Sequence, residues 1–194
     1  ILDLSQIPGE ILAIAADPTG TYLLAIPAAS HGHGGINRVT NDQSMTTVSG
    51  LAPAIQPTAI QFLHGGRDAV VADAGANQIL LITDVTASPA ASILATSSDG
   101  IDSVDRLAVS DDQNYVLAAS SQNTKLVVIH LLNGFVSAVE NLDLPCAPSL
   151  LSPLFLPHLY VLSGPTPGPV KLLDNSRGTN TYFVPPVMIP SAAN

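Results

Sequence analysis

With 194 residues, the chain is long enough for one ordinary domain, and 15 acidic residues against six Lys and Arg give it a net charge of −9. This balance excludes a nucleic-acid-binding protein and disfavours binding to an anionic membrane surface, because both partners are held by clustered cations. Hydrophobic residues make up 46% of the chain, but they come in bursts far shorter than the ~20 residues of a membrane-spanning helix, so we expect no membrane insertion.

The chain opens with a predicted strand at residues 1–5, and it starts without a Met or a signal peptide, which indicates a processed or truncated chain. Two further strands are predicted at 11–16 and 22–26, on either side of the turn Asp17-Pro-Thr-Gly20. The outer part of this first repeat shows no clear strand pattern.

The remaining predicted strands form three groups of four, separated by Gly, Pro, Asn, Asp and Ser. They are predicted at 59–63, 68–73, 78–83 and 92–96, then at 104–110, 115–120, 125–131 and 135–142, and finally at 150–156, 158–163, 170–173 and 181–184. Asn133-Gly134, between the last two strands of the middle group, is a strong hairpin signal. Helical periodicity of useful length is lacking, so we expect few helices.

Four related segments recur along the chain. Tyr22, Asp68, Tyr115 and Tyr160 each open a short apolar run, at spacings of 46, 47 and 45 residues. Short strands that repeat at this period predict the four-stranded blades of an all-β propeller. We expect one propeller segment over 1–194, with blades at about 6–52, 53–99, 100–145 and 146–190.

The first five residues predict a further blade. Leu2-Asp3-Leu4 recurs as Leu142-Asp143-Leu144 three periods later, so residues 1–5 are predicted to form the outer strand of another blade. We therefore expect the four blades to belong to a larger ring of about seven, because an incomplete ring would expose open strand edges. A complete small propeller and another repetitive β architecture stay open as alternatives.

Two motifs resemble known propeller repeats. Val71-Ala-Asp-Ala-Gly-Ala-Asn-Gln-Ile79 resembles blades of the NHL and YVTN repeat propellers, and the turn at 17–20 resembles the Asp-Pro-Asp-Gly turn of YVTN and lactonase-like propellers. The resemblance covers most of the chain, but Pro157 and His158 replace the turn in the fourth repeat. It implies a propeller whose relatives bind proteins, peptides or small ligands, and a few of which are hydrolases.

The most specific candidate for a functional site is His31-Gly-His33-Gly-Gly35, which follows the second strand of the first repeat. Alternating His and Gly lets a loop bring two imidazoles to one metal ion, so His31 and His33 are candidate metal ligands. Two ligands make an incomplete site, and Asp42 is the nearest carboxylate. A solvent-exposed loop is the favoured interpretation, with metal binding and ligand contact as alternatives.

The other polar and thiol candidates favour structural roles. His64, His130 and His158 are expected to be structural or exposed, and Cys146 a small buried residue. Asp73 and Asn77 bracket a tight turn whose backbone they can cap, with cation binding as the alternative. Asp99, Asp102 and Asp105 lack the spacing of a calcium loop and predict a solvated link between blades.

These observations favour a non-catalytic module that binds a protein or small-molecule ligand or acts as a scaffold. The lysine-poor, Ala- and Ser-rich composition is typical of an exported bacterial protein, periplasmic or extracellular. No cofactor is expected. The alternatives are a lactonase-like hydrolase with a site at the channel mouth, and a surface-assembly protein whose blade edges pair along Leu2 or Tyr182.

Overall fold

The computed structural model describes about two thirds of the chain. The described residues are 10–17, 20–26, 35–40, 44–49, 56–110, 112–132, 135–144, 150–153, 159–163, 170–174 and 181–183, with side chains described only up to residue 144 and not at 64, 135, 142 and 143. They fall into two compact units, Ile1–Leu107 and Ala108–Asn194.

The first unit holds two four-stranded sheets. Blade 1 comprises β1 (Ala13–Ala16), β2 (Tyr22–Ile26), β3 (Gly35–Val39) and β4 (Met45–Thr47). Blade 2 comprises β5 (Pro57–Leu63), β6 (Asp68–Asp73), β7 (Gln78–Thr83) and β8 (Ala90–Thr96). The strands of each blade are hydrogen-bonded in chain order, and neighbours run antiparallel. Short 3-10 turns at His64–Gly66 and Ser97–Asp99 interrupt the connections.

Two further sheets follow in the same order. Blade 3 comprises β9 (Arg106–Val109), β10 (Tyr115–Ala119), β11 (Lys125–Leu132) and β12 (Phe135–Asp143). Blade 4 comprises β13 (Leu150–Pro153), β14 (Leu159–Ser163), β15 (Val170–Asp174) and β16 (Thr181–Phe183). Apart from β9, which begins in the last two residues of the first unit, these strands belong to the second unit. Successive four-stranded meanders of this kind are the blades of a β-propeller.

The second strand of each of the first three blades is buried on both faces. Successive side chains of a strand point to opposite faces, yet Leu23 and Leu24 of β2 are both fully buried, and so are Val70 and Val71 of β6. Each sheet is therefore covered on two sides, as a propeller blade is, whereas a sheet of a two-layer sandwich has one face in solvent.

An apolar cluster joins the two blades of the first unit. Leu23 and Ile36 of blade 1 pack with Ile60, Val71 and Leu80 of blade 2. Full burial of one such side chain contributes about 1.5–3 kcal/mol, so this interface is a principal source of stability for the unit. We call the face of blade 1 in this cluster its back face, and the face of blade 2 its front face.

Most predicted strands are confirmed. β2, β6 and β7 have the predicted bounds, and the strands of blade 3 lie within two residues of theirs. β3 and β4, which the sequence pattern left unplaced, complete blade 1. The predicted strand at 1–5, residues 154–156 of the first strand of blade 4 and the Asn133-Gly134 turn lie outside the described residues. In the described part of the chain, no helix is long and apolar enough to cross a membrane.

Tyr22 and Asp68, predicted to be equivalent positions of the repeat, differ by one residue in their blades. Tyr22 packs with Leu24 on the front face of blade 1, away from blade 2. In β6, Ala69 and Val71 lie on the front face of blade 2, so Asp68, one residue before Ala69, lies on its back face. A slip of one residue moves a side chain to the other face of a sheet, so Tyr22 and Asp68 begin corresponding strands but have different surroundings.

Candidate functional site

Turns gather at two edges of the first unit. In each blade, the turn between the second and third strands lies at one edge of the sheet, which we call the upper edge. The turn between the first and second strands lies at the opposite edge, which we call the lower edge. The lower edges of the two blades lie together, because Asp17 of blade 1 contacts Gly66 of blade 2. The upper edges therefore also correspond, and they carry the β6–β7 turn and the link between β8 and β9.

Asp73 organises the β6–β7 turn from below. It is 1% exposed, and its Oδ1 accepts hydrogen bonds from the backbone N–H groups of Gln56 (2.8 Å), Gly75 (3.1 Å) and Ala76 (3.3 Å). Its Oδ2 accepts one from Gln78 Nε2 at 2.9 Å. The predicted capping role of Asp73 is confirmed by the bonds from the Gly75 and Ala76 N–H groups of the turn.

Asn77 ties the same turn to the next link. Its backbone φ is 49°, in the left-handed region that Asn tolerates better than most residues. Its Oδ1 accepts a hydrogen bond from the Ser103 N–H at 2.9 Å, across 26 residues of sequence. The turn is thus held at both ends, while Gly75 and Ala76 at its tip are exposed to solvent.

The three spaced aspartates of the link have different partners. Asp99 Oδ2 accepts from the Thr96 N–H at 2.9 Å and completes a capping box on the Ser97–Asp99 turn. Asp105 forms an ion pair with Arg106 at 3.4 Å, while Asp102 is exposed. The prediction of a solvated link is correct for Asp102, but Asp99 is a structural cap. Among the described residues, no group of three His, Cys, Asp or Glu is placed to hold a metal ion.

Only some of the candidate histidines lie within the described residues. His31, His33 and His158 lie outside the described residues, so the metal-ligand assignment of His31 and His33 stays a prediction. His64 starts the 3-10 turn at the lower edge, and its side chain is not described. Cys146 also lies outside the described residues.

His130 joins three strands of blade 3. Its ring meets the ring of Tyr115 edge-on, with centroids 4.9 Å apart and planes at 73°. Its Nε2 lies 3.1 Å from Glu140 Oε1 but is not aligned for a hydrogen bond, so the attraction is ionic when the imidazole is protonated. These contacts agree with the expectation that His130 is structural or exposed, and the sequence did not predict the contact with Tyr115.

Arg38 joins the two blades at the lower edge. It lies on the back face of β3, and its Nη1 donates to the Val85 carbonyl at 2.9 Å and the Ala87 carbonyl at 3.4 Å, both in the β7–β8 turn of blade 2. Most polar side chains singled out at the two edges hold turns, links or blades together. At the upper edge, these contacts leave the tip of the β6–β7 turn, Gly75 and Ala76, exposed to solvent.

Comparisons with known proteins place the fold but not a family. No family model and no curated protein matches the chain. Solved structures do match, and three of them are the Cps50 (Swd1) β-propeller domain of Myceliophteria thermophila, a streptogramin B lyase and XC5397, a gluconolactonase of Xanthomonas campestris. Their TM-scores are 0.63, 0.66 and 0.63, at identities of 15%, 13% and 13%.

These matches cover much of this chain but only part of each structure. They cover 84%, 95% and 89% of this chain, and 52%, 57% and 60% of the matched chains. The chain thus spans about half the length of the propellers that it matches. At such low identity, and with a lyase and a gluconolactonase among them, the likeness shows the propeller fold alone.

Proposed function

We propose that the chain is a non-catalytic propeller module that binds a protein, peptide or small ligand through its upper edge. The supporting observation is the β6–β7 turn, whose tip is exposed while Asp73 accepts four hydrogen bonds beneath it and Asn77 anchors it to Ser103. A loop ordered in advance loses less entropy on binding, so rigid turns on a scaffold suit recognition.

The setting of the module is part of the same proposal. The motif at 71–79 supports membership of the YVTN/NHL group, and the lysine-poor composition supports export to the periplasm or the exterior. Four blades that span about half the length of the matched propellers support a larger ring, with blade boundaries at about 6–52, 53–99, 100–145 and 146–190.

The test is selection from a phage-displayed peptide library on the immobilised chain. We expect enriched peptides with a shared sequence, and we expect Ala76→Arg, at the tip of the upper-edge turn, to weaken their binding at least about ten-fold, or 1.4 kcal/mol. Thr86→Arg is the matched control, because Thr86 is also exposed in a turn but at the lower edge. No shared sequence, or equal loss with both variants, would argue against the upper edge.

The second candidate is a lactonase-like hydrolase, favoured by the position of His31 and His33 in the link between β2 and β3, which starts and ends at the upper edge. Hydrolysis of δ-gluconolactone, followed with and without added Zn²⁺ or Ca²⁺, separates the two functions. Saturable turnover that is lost in the double variant His31→Ala/His33→Ala would establish the hydrolase and replace the binding module. We expect no turnover above the uncatalysed rate.

A further inference from the structure

The outermost strand of blade 3 has a long outer edge. β12 (Phe135–Asp143) has nine residues and is the last strand of its sheet, where it pairs with β11 on one side. In the part of the chain that the structure describes, no other strand pairs with its outer side. An edge strand directs the backbone N–H and C=O of every second residue away from its sheet, and these groups can bond an added strand.

The outer strands of the other blades offer much less edge. β4 and β16 have three residues each. β8 has seven, but its start is covered, because the Ala91 N–H donates to the Ser49 carbonyl at 3.1 Å and Ser49 forms a parallel bridge with Ala90. The register of β8 also shifts in its middle, beside Leu80. Short, covered or bulged edges resist strand addition, whereas β12 keeps an unbroken register with β11 from Ala138 to its end.

The two faces of β12 differ in chemistry. Val136 and Val139 lie on one face, because their partners in β11 are two residues apart, and Val136 is 38% exposed. Glu140 lies on the other face, and its side chain is 42% exposed although one of its oxygens faces His130. A carboxylate has about four acceptor sites, so Glu140 can take a further cation. A strand added at this edge therefore meets valine side chains on one face and a carboxylate on the other.

We propose that the outer edge of β12 takes an extended segment of a partner protein as an added strand, and that this segment alternates apolar residues with Lys or Arg. Two observations favour this occupant. Ser49, on the outer edge of β8, shows that extended backbone covers an outer edge in this molecule. The sequence of β12 contains Glu140 and Asp143 and no Lys or Arg, so a basic segment is attracted, while a second copy of this chain, at −9, is repelled.

This contact goes beyond the binding module proposed above, because β12 belongs to the second unit and the β6–β7 turn to the first. In strand addition, hydrogen bonds between backbones supply affinity, and side chains at alternate positions supply specificity. The valines of β12 select apolar residues on one face of the added strand, and Glu140 selects a cation on the other face.

Fluorescence anisotropy with a labelled synthetic peptide tests the proposal. The peptide Val-Lys-Val-Thr-Val-Lys-Val-Thr places valine on one face of an extended strand and lysine and threonine on the other. We expect saturable binding below about 1 mM in about 0.05 M salt, where charge attraction is weakly screened. A peptide with two of the valines replaced by proline keeps the charge but loses N–H donors, so it should bind at least about ten-fold more weakly.

Glu140→Lys removes the carboxylate that selects the basic peptide. We expect at least about ten-fold weaker binding of the lysine peptide and tighter binding of a peptide in which glutamate replaces both lysines. A variant that only disturbed the fold would weaken the binding of both peptides. Asp102→Lys is the matched control, because it makes the same change of charge at an exposed carboxylate of the upper edge, and it should change the affinity by less than about two-fold.

Hydrogen exchange locates the contact without a variant. Exchange at residues 136–140 should slow in the saturated complex of the lysine peptide, while exchange at 90–96 in β8 should not change. A lack of saturable binding overturns the proposal, and so does equal binding of the proline peptide. Protection confined to 74–77 also overturns it, because the peptide then binds at the β6–β7 turn, which supports the upper-edge module instead of strand addition at β12.

Discussion

At the scale of the residue, the polar side chains of the described part act mostly on the backbone. Asp73 binds three N–H groups and one amide, Asn77 binds the Ser103 N–H, and Asp99 caps a 3-10 turn. Buried polar groups need such partners, because a donor or acceptor left unpaired inside a protein costs about 1–3 kcal/mol. These side chains therefore hold the turns that form the surface.

Asp73→Ala should destabilise the chain by about 3 kcal/mol, since it leaves several buried donors without their acceptor. Asp102→Ala is the control, because Asp102 is exposed at the same edge, and it should change stability by no more than about 0.5 kcal/mol. Urea unfolding followed by circular dichroism measures both variants. An equally small effect of the two substitutions would contradict the role assigned to Asp73.

Alanine substitutions at Gly65 and Gly66, at the lower edge, distinguish the cost of backbone strain from the cost of a steric clash. Both Gly65 and Gly66 have positive φ, at 66° and 94°. A Cβ at Gly65 meets nothing within 4 Å, whereas one at Gly66 would lie 2.8 Å from Asp17 Cβ in blade 1. Gly65→Ala should cost about 1 kcal/mol through strain alone, and Gly66→Ala about 3 kcal/mol, because overpacking adds to the strain.

Thermal unfolding of the two glycine variants provides the measurement. The difference between their melting temperatures reports the contact between Gly66 and Asp17. Equal melting temperatures would mean that the lower edges of blades 1 and 2 are not in contact.

At the scale of the element, burial on both faces governs the strands. The runs at 22–26 and 68–73 were predictable because strands covered on both sides are almost continuously apolar. β3 was not, because Gly35, Asn37 and Arg38 interrupt its apolar pattern. Asn37 is nevertheless buried and accepts a hydrogen bond from Thr47 Oγ1 at 2.9 Å, and Arg38 reaches blade 2, so tertiary partners satisfy the polar groups.

Arg38→Met keeps most of the aliphatic stem of the side chain and removes the hydrogen bonds to the β7–β8 turn. We expect a loss of about 1–2 kcal/mol, with the two carbonyls released to water, and faster hydrogen exchange in that turn. Arg38→Lys should recover part of the loss, because an ammonium can still donate to one carbonyl. Unchanged exchange at residues 84–88 in Arg38→Met would show that this link does not order the turn.

At the scale of the whole molecule, the described blades form two compact units, and the front face of the first unit leaves apolar side chains in solvent at its inner strand. The net charge of −9 at neutral pH makes separate copies of the chain repel one another.

The net charge of the chain predicts how its solubility depends on pH, without reference to the fold. The sequence pI is about 4.5, so solubility should pass through a minimum near that pH and rise toward pH 7 as the carboxylates ionise. Turbidity measured across a pH series at fixed protein concentration is the test. A minimum well above pH 6 would mean that exposed apolar surface, rather than net charge, controls solubility.

The amino-acid sequence by itself determined the fold class, the number of repeats and the bounds of most strands. Strand length, alternation and turn residues are local properties, and a period of 46, 47 and 45 residues is visible without coordinates. The capping role of Asp73 was predictable for the same reason, since its backbone partners at Gly75 and Ala76 lie within three residues.

Only the tertiary structure decided which face each side chain occupies and which residues meet across blades. The face of the sheet on which the Tyr22 side chain lies depends on the length of the turn before β2. One residue more or less in that turn moves every side chain of the strand to the opposite face. The contacts of Asn77 with Ser103 and of Arg38 with Val85 span 26 and 47 residues, and no local pattern encodes them. Ile14 and Ile60 are the same residue type in the first strands of their blades, yet Ile14 is 50% exposed, whereas Ile60 packs against blade 1 and is 4% exposed.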